Sequence, residues 1–171
     1  MARRFDRTFY SRDVLEVAPL LIGQHLIRIA SDGTKTAYVI TETEAYRGGD
    51  DLACHASKGK TPRNEVMFGE GGHLYMYLIY GMYWMMNVVT APRGVPQAVL
   101  LRGVREASGP GRLTRLVGVD RNFNGEDLVV SERIWIEESG SPSAYTASPR
   151  VGIDYAGEPW RSMPWRYLIN L

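Results

Sequence analysis

Apolar positions along the chain recur at two spacings, and the strand-like one prevails. Near the start, Val14, Leu15, Val17, Leu20 and Leu21 follow helical spacing, with Ser11 placed to cap the helix and Gly23 to end it. Pro19 lies inside this run and is expected to bend or shorten it. The pattern then shifts to alternation. "QHLIRIASDGTKTAYVITETEAY" reads as two strands around an Asp32-Gly33 turn, a strong short-range hairpin signal. In "KGKTPRNEVMF", Thr61 as cap and Pro62 at the first helical position predict one or two helical turns. "HLYMYLIYGMYWMMNVVT" reads as two strands meeting near Gly81, and "QAVLLRGV" as a buried strand bounded by Pro96 and Gly103. A short helix follows in "SGPGRLTRLVGV", and "DLVV", "RIWIEE", "PRVGI" and "WRYLI" read as further short strands. Strands dominate without regular strand-helix alternation. The expectation is an α+β fold with a mainly antiparallel β core, a protruding β-hairpin and short peripheral helices.

Composition narrows the class. The 171 residues are 44% hydrophobic with no internal shift in composition, which predicts one domain over 1–171, its first ten residues a loosely ordered basic tail. No apolar run reaches the roughly 20 residues a membrane-spanning helix needs, and "MARRFDRTFYSRD" lacks a signal-peptide core, so a cytoplasmic protein with no membrane partner is expected. In a bacterium it would be associated with the nucleoid. The single cysteine, Cys54, cannot form an internal disulfide or a cysteine-rich zinc site, and no cofactor is expected. Net charge is only +1, short of the strongly basic balance that by itself points to nucleic acid. Lysine occurs only at Lys35, Lys58 and Lys60, so the cations are mostly arginines, whose planar donors suit phosphate; a GC-rich genome gives the same bias.

Candidate chemistry concentrates in "VITETEAYRGGDDLACHA". Strand parity would put Tyr38, Ile40, Glu42, Glu44 and Tyr46 on one face and Val39, Thr41, Thr43 and Ala45 on the other. Carboxylates two strand positions apart stand about 7 Å from each other, enough to accommodate a water as in an inverting glycoside hydrolase. An acidic face turned to solvent satisfies the same pattern. Glu44, Asp50, Asp51 and His55 could also be drawn as a metal-dependent hydrolase, although no recognised ligand spacing is present. Cys54 and His55 are sequence neighbours whose side chains diverge on a strand, which disfavours a nucleophile-base pair. In "LYMYLIYGMYWMMN", Tyr80 precedes Gly81 and is expected at a hairpin tip, where a flat side chain can wedge between stacked bases. Tyr46 and Tyr77 offer stacking surfaces for a base taken out of the duplex.

The runs "TETEAYRGGDDLACHASKGKTPRNEVMFGEGGHLYMYLIYGMYWMMNVV", "AVLLRG", "GPGRLTRLVGV" and "PRVGIDYAGEPW" closely resemble the alkyladenine (methylpurine, or 3-methyladenine) DNA glycosylase family, in order from about Leu15 onward. The resemblance implies a monofunctional enzyme, expected as a monomer on damaged double-stranded DNA. It would excise alkylated or deaminated purines such as 3-methyladenine, 7-methylguanine, hypoxanthine and ethenoadenine, leaving an abasic site. It implies Glu44 as the general base, with Arg102 and the backbone of Val151 helping to hold the attacking water. Tyr46, His55 and Tyr77 would surround the flipped base, Asn87 would disfavour guanine's exocyclic amine, and Tyr80 would fill the vacated space in the duplex. Arg63, Arg112 and Arg115 are candidate phosphate contacts. The segment "VREASGPGRL" is shorter than its family counterpart, which would reduce DNA affinity or damage range. A damage-binding protein of the same fold with little turnover is the alternative.

Overall fold

The computed structural model describes residues 2–170. Three short helices, α1 (Arg7–Tyr10), α2 (Val14–Leu20) and α3 (Pro110–Val117), accompany nine strands. The strands are β1 (His25–Ile29), β2 (Lys35–Tyr46), β3 (Leu74–Ile79), β4 (Tyr83–Thr90), β5 (Gln97–Val104), β6 (Ala107–Ser108), β7 (Ile134–Glu137), β8 (Tyr145–Ser148) and β9 (Arg166–Ile169). All pairings are antiparallel, in the order β3-β4-β5-β2-β1-β7, with β6 on β5 and β8 joined through β9 to β2. The fold is α+β, as the alternation along the chain predicts.

The longest strand, β2, organises the sheet. Its first half pairs with β1, and its second half lies between β5 and β9. A bulge around Ile40–Thr43 separates the halves. An extra residue in one strand reverses the side-chain alternation beyond it, so Ile40 joins Ala45 in the main core while Glu42, Glu44 and Tyr46 turn to the opposite face. This corrects the uninterrupted parity read from sequence. Past the bulge the two faces have separate tasks. The row Leu74, Val88, Val99 and Ala45 across β3, β4, β5 and β2 is fully buried in the main core. In the adjacent row, Tyr75, Asn87 and Leu100 line a cavity and Glu44 is buried beside them.

Several local expectations change. Asp13 caps α2 by accepting from the Leu15 N–H at 2.9 Å, whereas Ser11 ends α1, its hydroxyl donating to the Arg7 carbonyl at 2.9 Å. Of the expected tail, Met1 lies outside the described residues, while Phe5, Phe9 and Tyr10 pack into the main core and Arg7 donates to Asp127 Oδ2 at 2.5 Å. Apolar side chains of that size contribute more by burial than the short segment loses in chain entropy. The helix expected from Thr61 is replaced by a turn, because Asn64 accepts from the Thr61 N–H and donates to the carbonyls of His55 and Gly59. A single 3-10 turn, Glu65–Phe68, follows. "DLVV" and "PRVGI" are irregular, and Tyr145–Ser148 supplies a strand not foreseen.

Candidate active site

Glu44 lies in the middle of the sheet, opposite Leu100 of β5 on one side and Arg166 of β9 on the other. Its carboxylate is fully buried yet well supplied with donors: Oε1 accepts from Tyr46 Oη at 2.9 Å and Oε2 from the Val151 N–H at 2.6 Å. Arg102 Nη1 stands 3.8 Å from Oε1. Removal from water disfavours the charged form and outweighs the Arg102 charge and the two hydrogen bonds, so the Glu44 pKa is raised. A carboxylate oxygen has two lone-pair sites, and one protein hydrogen bond is made to each Glu44 oxygen.

The cavity above Glu44 measures 360 Å³ and is walled by aromatic side chains from separate segments: Tyr46 of β2, Tyr75 and Tyr77 of β3, His55, and Tyr155. Cavities of about 300–1,000 Å³ hold small organic ligands. The His55 and Tyr77 rings are 4.3 Å apart between centroids, and His55 Nδ1 shares a hydrogen bond with Tyr75 Oη at 3.0 Å. Burial and the Arg63 charge lower the His55 pKa, favouring the neutral imidazole. Burial pushes the Tyr46 and Tyr77 phenols up and Tyr75 to about 12, so all three present neutral hydroxyls at physiological pH. Asn87 is buried in the floor, its Nδ2 donating to the Tyr75 carbonyl at 3.2 Å.

The cavity rim carries the hairpin tip. Tyr80 and Gly81 have φ of 51° and 65°, and the Met82 N–H closes the turn on the Ile79 carbonyl, the signature of a type I′ turn. Gly81 accepts that conformation freely, but a bulky side chain at positive φ is strained. The Tyr80 ring is nonetheless 87% exposed, so no burial within the protein offsets its strain. Arg63 donates to the Leu78 carbonyl on one flank of the hairpin, and Arg115 borders Tyr83 and Trp84 on the other. Arg112 and Arg115 lie on the exposed side of α3 without an acidic partner among the described residues.

The structure thus brings Tyr46, His55, Tyr77, Tyr80, Asn87, Arg102 and Val151 to one cavity, with Glu44 buried behind its wall and bonded to Tyr46 and Val151. It also separates the remaining acids. Asp51 forms a buried bidentate pair with Arg150, at 2.6 and 3.0 Å, and Asp50 is exposed. Among the described residues no cluster of three or more His, Cys, Asp or Glu side chains is arranged to hold a metal ion. Glu42, placed by strand parity on the same face as Glu44, is buried and receives both Arg102 Nε at 3.0 Å and Arg166 Nε at 2.5 Å. Sequence reasoning missed Tyr75, Tyr155 and Arg150. Arg150 binds the Ala45 carbonyl, lies over the Tyr46 and Trp165 rings, and so fixes the segment from which Val151 reaches Glu44. Only its position one residue before Val151 in "PRVG" could have signalled that role.

A buried, hydrogen-bonded carboxylate at the end of an aromatic slot can activate water beside a flat ring. Comparison with known proteins gives this chemistry its substrate class. Residues 8–108 and 105–171 match the family model described as methylpurine-DNA glycosylase. A protein of Methanocella arvoryzae is 44% identical over 94% of this chain and 90% of its own length. Proteins of Anaeromyxobacter dehalogenans, strain 2CP-C, and Legionella pneumophila, strain Corby, are 43% and 42% identical over 98% of this chain and 84% and 95% of their own lengths. All three are named "Putative 3-methyladenine DNA glycosylase". These matches define a DNA glycosylase, a hydrolase of base excision repair acting on DNA. The chain belongs to the methylpurine-DNA glycosylase family.

Proposed function

We propose that this enzyme flips alkylated or deaminated purines out of double-stranded DNA and hydrolyses the N-glycosidic bond with Glu44 as general base. The observation that carries the reading is the buried Glu44 carboxylate, held by Tyr46 and Val151 at the end of the aromatic cavity. A water oxygen attacks the sugar C1′, the C1′–N bond breaks with its electron pair going to the base, and Glu44 takes the water's proton. The anionic carboxylate also stabilises the oxocarbenium-like charge that develops on the sugar. Arg102 and the Val151 backbone help hold that water. 3-Methyladenine and 7-methylguanine are cationic and depart readily, whereas hypoxanthine and ethenoadenine take up a proton as they leave. Tyr46, His55 and Tyr77 enclose the base, and the fixed Asn87 amide crowds guanine's 2-amino group. Tyr80 enters the duplex in its place, a role supported by a strained, exposed ring at the cavity rim. Hydrolysis without a lyase step is consistent with the three lysines lying outside the residues that line the cavity, since a Schiff base with the sugar needs an amine. The enzyme acts as a single-domain monomer.

Single-turnover assays on hypoxanthine, ethenoadenine and methylated duplexes, with alkali to break abasic sites, test the reading. Glu44→Gln should retain damage binding while slowing excision by about 100-fold or more. A Glu44→Gln rate near that of wild type would assign the base elsewhere. Wild-type binding without abasic product on any of these substrates would instead identify a damage-binding protein. Activity lost on chelation would favour a metal-dependent hydrolase.

A further inference from the structure

We propose that Glu42 is a positioning residue that keeps Arg102 beside Glu44 but out of direct contact with it, leaving the Glu44 carboxylate free to hold water. The inference rests on Glu44 acting as the base. Arg102 Nε is bound to Glu42 Oε2 at 3.0 Å, while its Nη1 remains 3.8 Å from Glu44 Oε1, beyond hydrogen-bond reach. Arginine and a carboxylate ordinarily close into a short, often bidentate pair. Such a pair at Glu44 would occupy the lone-pair sites that Tyr46 and Val151 leave open.

Glu42 withholds Arg102 from that pairing because it is buried two residues from Glu44 on the same face of β2. Arg166 of β9 anchors it from the other side through the same oxygen, Oε2, at 2.5 Å. The bulge makes the arrangement possible, because it turns Glu42 to the cavity face after Ile40 has entered the core. The titratable and charged groups facing Glu44 are Glu42 and Tyr46 of β2, Arg102 of β5, Tyr77 of β3, and Tyr155, with Arg166 reaching the cluster through Glu42 and Arg150 through the Tyr46 ring. Of these, only Arg102 is a cation within 4 Å of the carboxylate. Its distance therefore tunes both the charge on Glu44 and the space for water.

The test is the pH dependence of single-turnover excision for wild type, Glu42→Gln, Glu42→Asp and Arg166→Gln. With Glu42→Gln, loss of the Glu42 charge and closure of Arg102 on Glu44 together should move the acid limb down by about one pH unit, and the closure, which takes the place of water, should leave a plateau about tenfold lower. Glu42→Asp should restore part of both changes. Arg166→Gln removes a competing cation and leaves Glu42 to Arg102 alone, so its acid limb should stay in place or move up. Near-neutral unfolding by urea checks that each variant is folded. If Glu42→Gln does not fold, Glu42→Asp and Arg166→Gln still decide: their acid limbs should diverge, Glu42→Asp downward. Parallel loss of rate with unmoved acid limbs, an upward shift in Glu42→Gln, or a downward shift in Glu42→Gln with an unchanged plateau, which removal of the Glu42 charge alone would give, overturns the proposal. Excision by Glu44→Gln at the wild-type rate would overturn the base assignment instead, and so separates the two failures.

Discussion

At the scale of single residues, the site balances burial against hydrogen bonding. As the proposed base, Glu44 must be ionised to accept a proton, and burial raises its pKa above the ordinary value of 4.5. Excision of a cationic lesion, which needs no acid on the leaving base, should therefore rise with pH along a limb centred above 4.5. Single-turnover rates on 7-methylguanine DNA between mildly acidic and neutral pH check this. The same shift affects stability with the opposite sense. A carboxyl whose pKa is raised by folding binds its proton more tightly in the native state, so its contribution to stability falls as pH rises from 4.5 through the native pKa. Glu44→Gln should thus unfold at higher denaturant than wild type near neutrality, the difference closing below pH 4.5. Tyr80 bears a different cost. Tyr80→Gly relieves a left-handed backbone and should raise stability by up to about 1 kcal/mol, net of glycine's entropy in the unfolded chain. It should also weaken binding to paired damaged duplexes more than to an unpaired lesion, as titrations on both substrates would show.

At the scale of elements, a buried ion pair ties two irregular loops together beside β2. Arg150 and Asp51 join the loop after β8 to the loop after β2, and both side chains are removed from solvent. Breaking such a pair leaves an unpaired buried charge, so Asp51→Ala should cost about 3–5 kcal/mol in urea unfolding. Because Arg150 precedes Val151, this variant should also lose excision rate when assayed below its unfolding transition. Sequence periodicity revealed the regular parts of this architecture. The Asp32-Gly33 hairpin, the β3–β4 hairpin with Tyr80 at its tip, β5, α3, β7 and β9 all carry their own spacing or turn residues. The bulge in β2 carried no such mark, because the backbone inserts a residue there without a glycine or proline to announce it. The Thr61 turn was equally hidden, since its deciding residue, Asn64, acts through bonds to His55 and Gly59 that spacing does not encode. Site residues outside the regular elements, such as Tyr155 and Arg150, come together through tertiary packing and were missed even though the run "PRVGIDYAGEPW" passes through both, because neither spacing nor residue type marks their roles.

At the scale of the whole molecule, a net charge of +1 leaves DNA affinity to local placement. Arg63 and Arg115 flank the hairpin, and Arg112 sits one turn from Arg115 on the open side of α3. If each meets one phosphate, its replacement by glutamine should reduce the salt-dependence slope of binding by about 1 and weaken all sequences alike. Fluorescence anisotropy at several salt concentrations measures this, and an unchanged slope would make the residue an ordinary surface arginine.

The partnership of β2 with β9 also bears on the order of folding. Glu44 lies opposite Arg166, and the Val151 N–H that reaches its carboxylate belongs to another distant segment. Contacts between segments so far apart in sequence form slowly, because a large loop must close before they contribute any stability. The β3–β4 hairpin, joined by a two-residue turn, has no such delay. In refolding, Tyr80 should therefore reach its tip before Glu44 acquires its donors, and recovery of excision should trail recovery of strand structure. A chain at that stage would present the side chain proposed to probe DNA before the proposed base is complete.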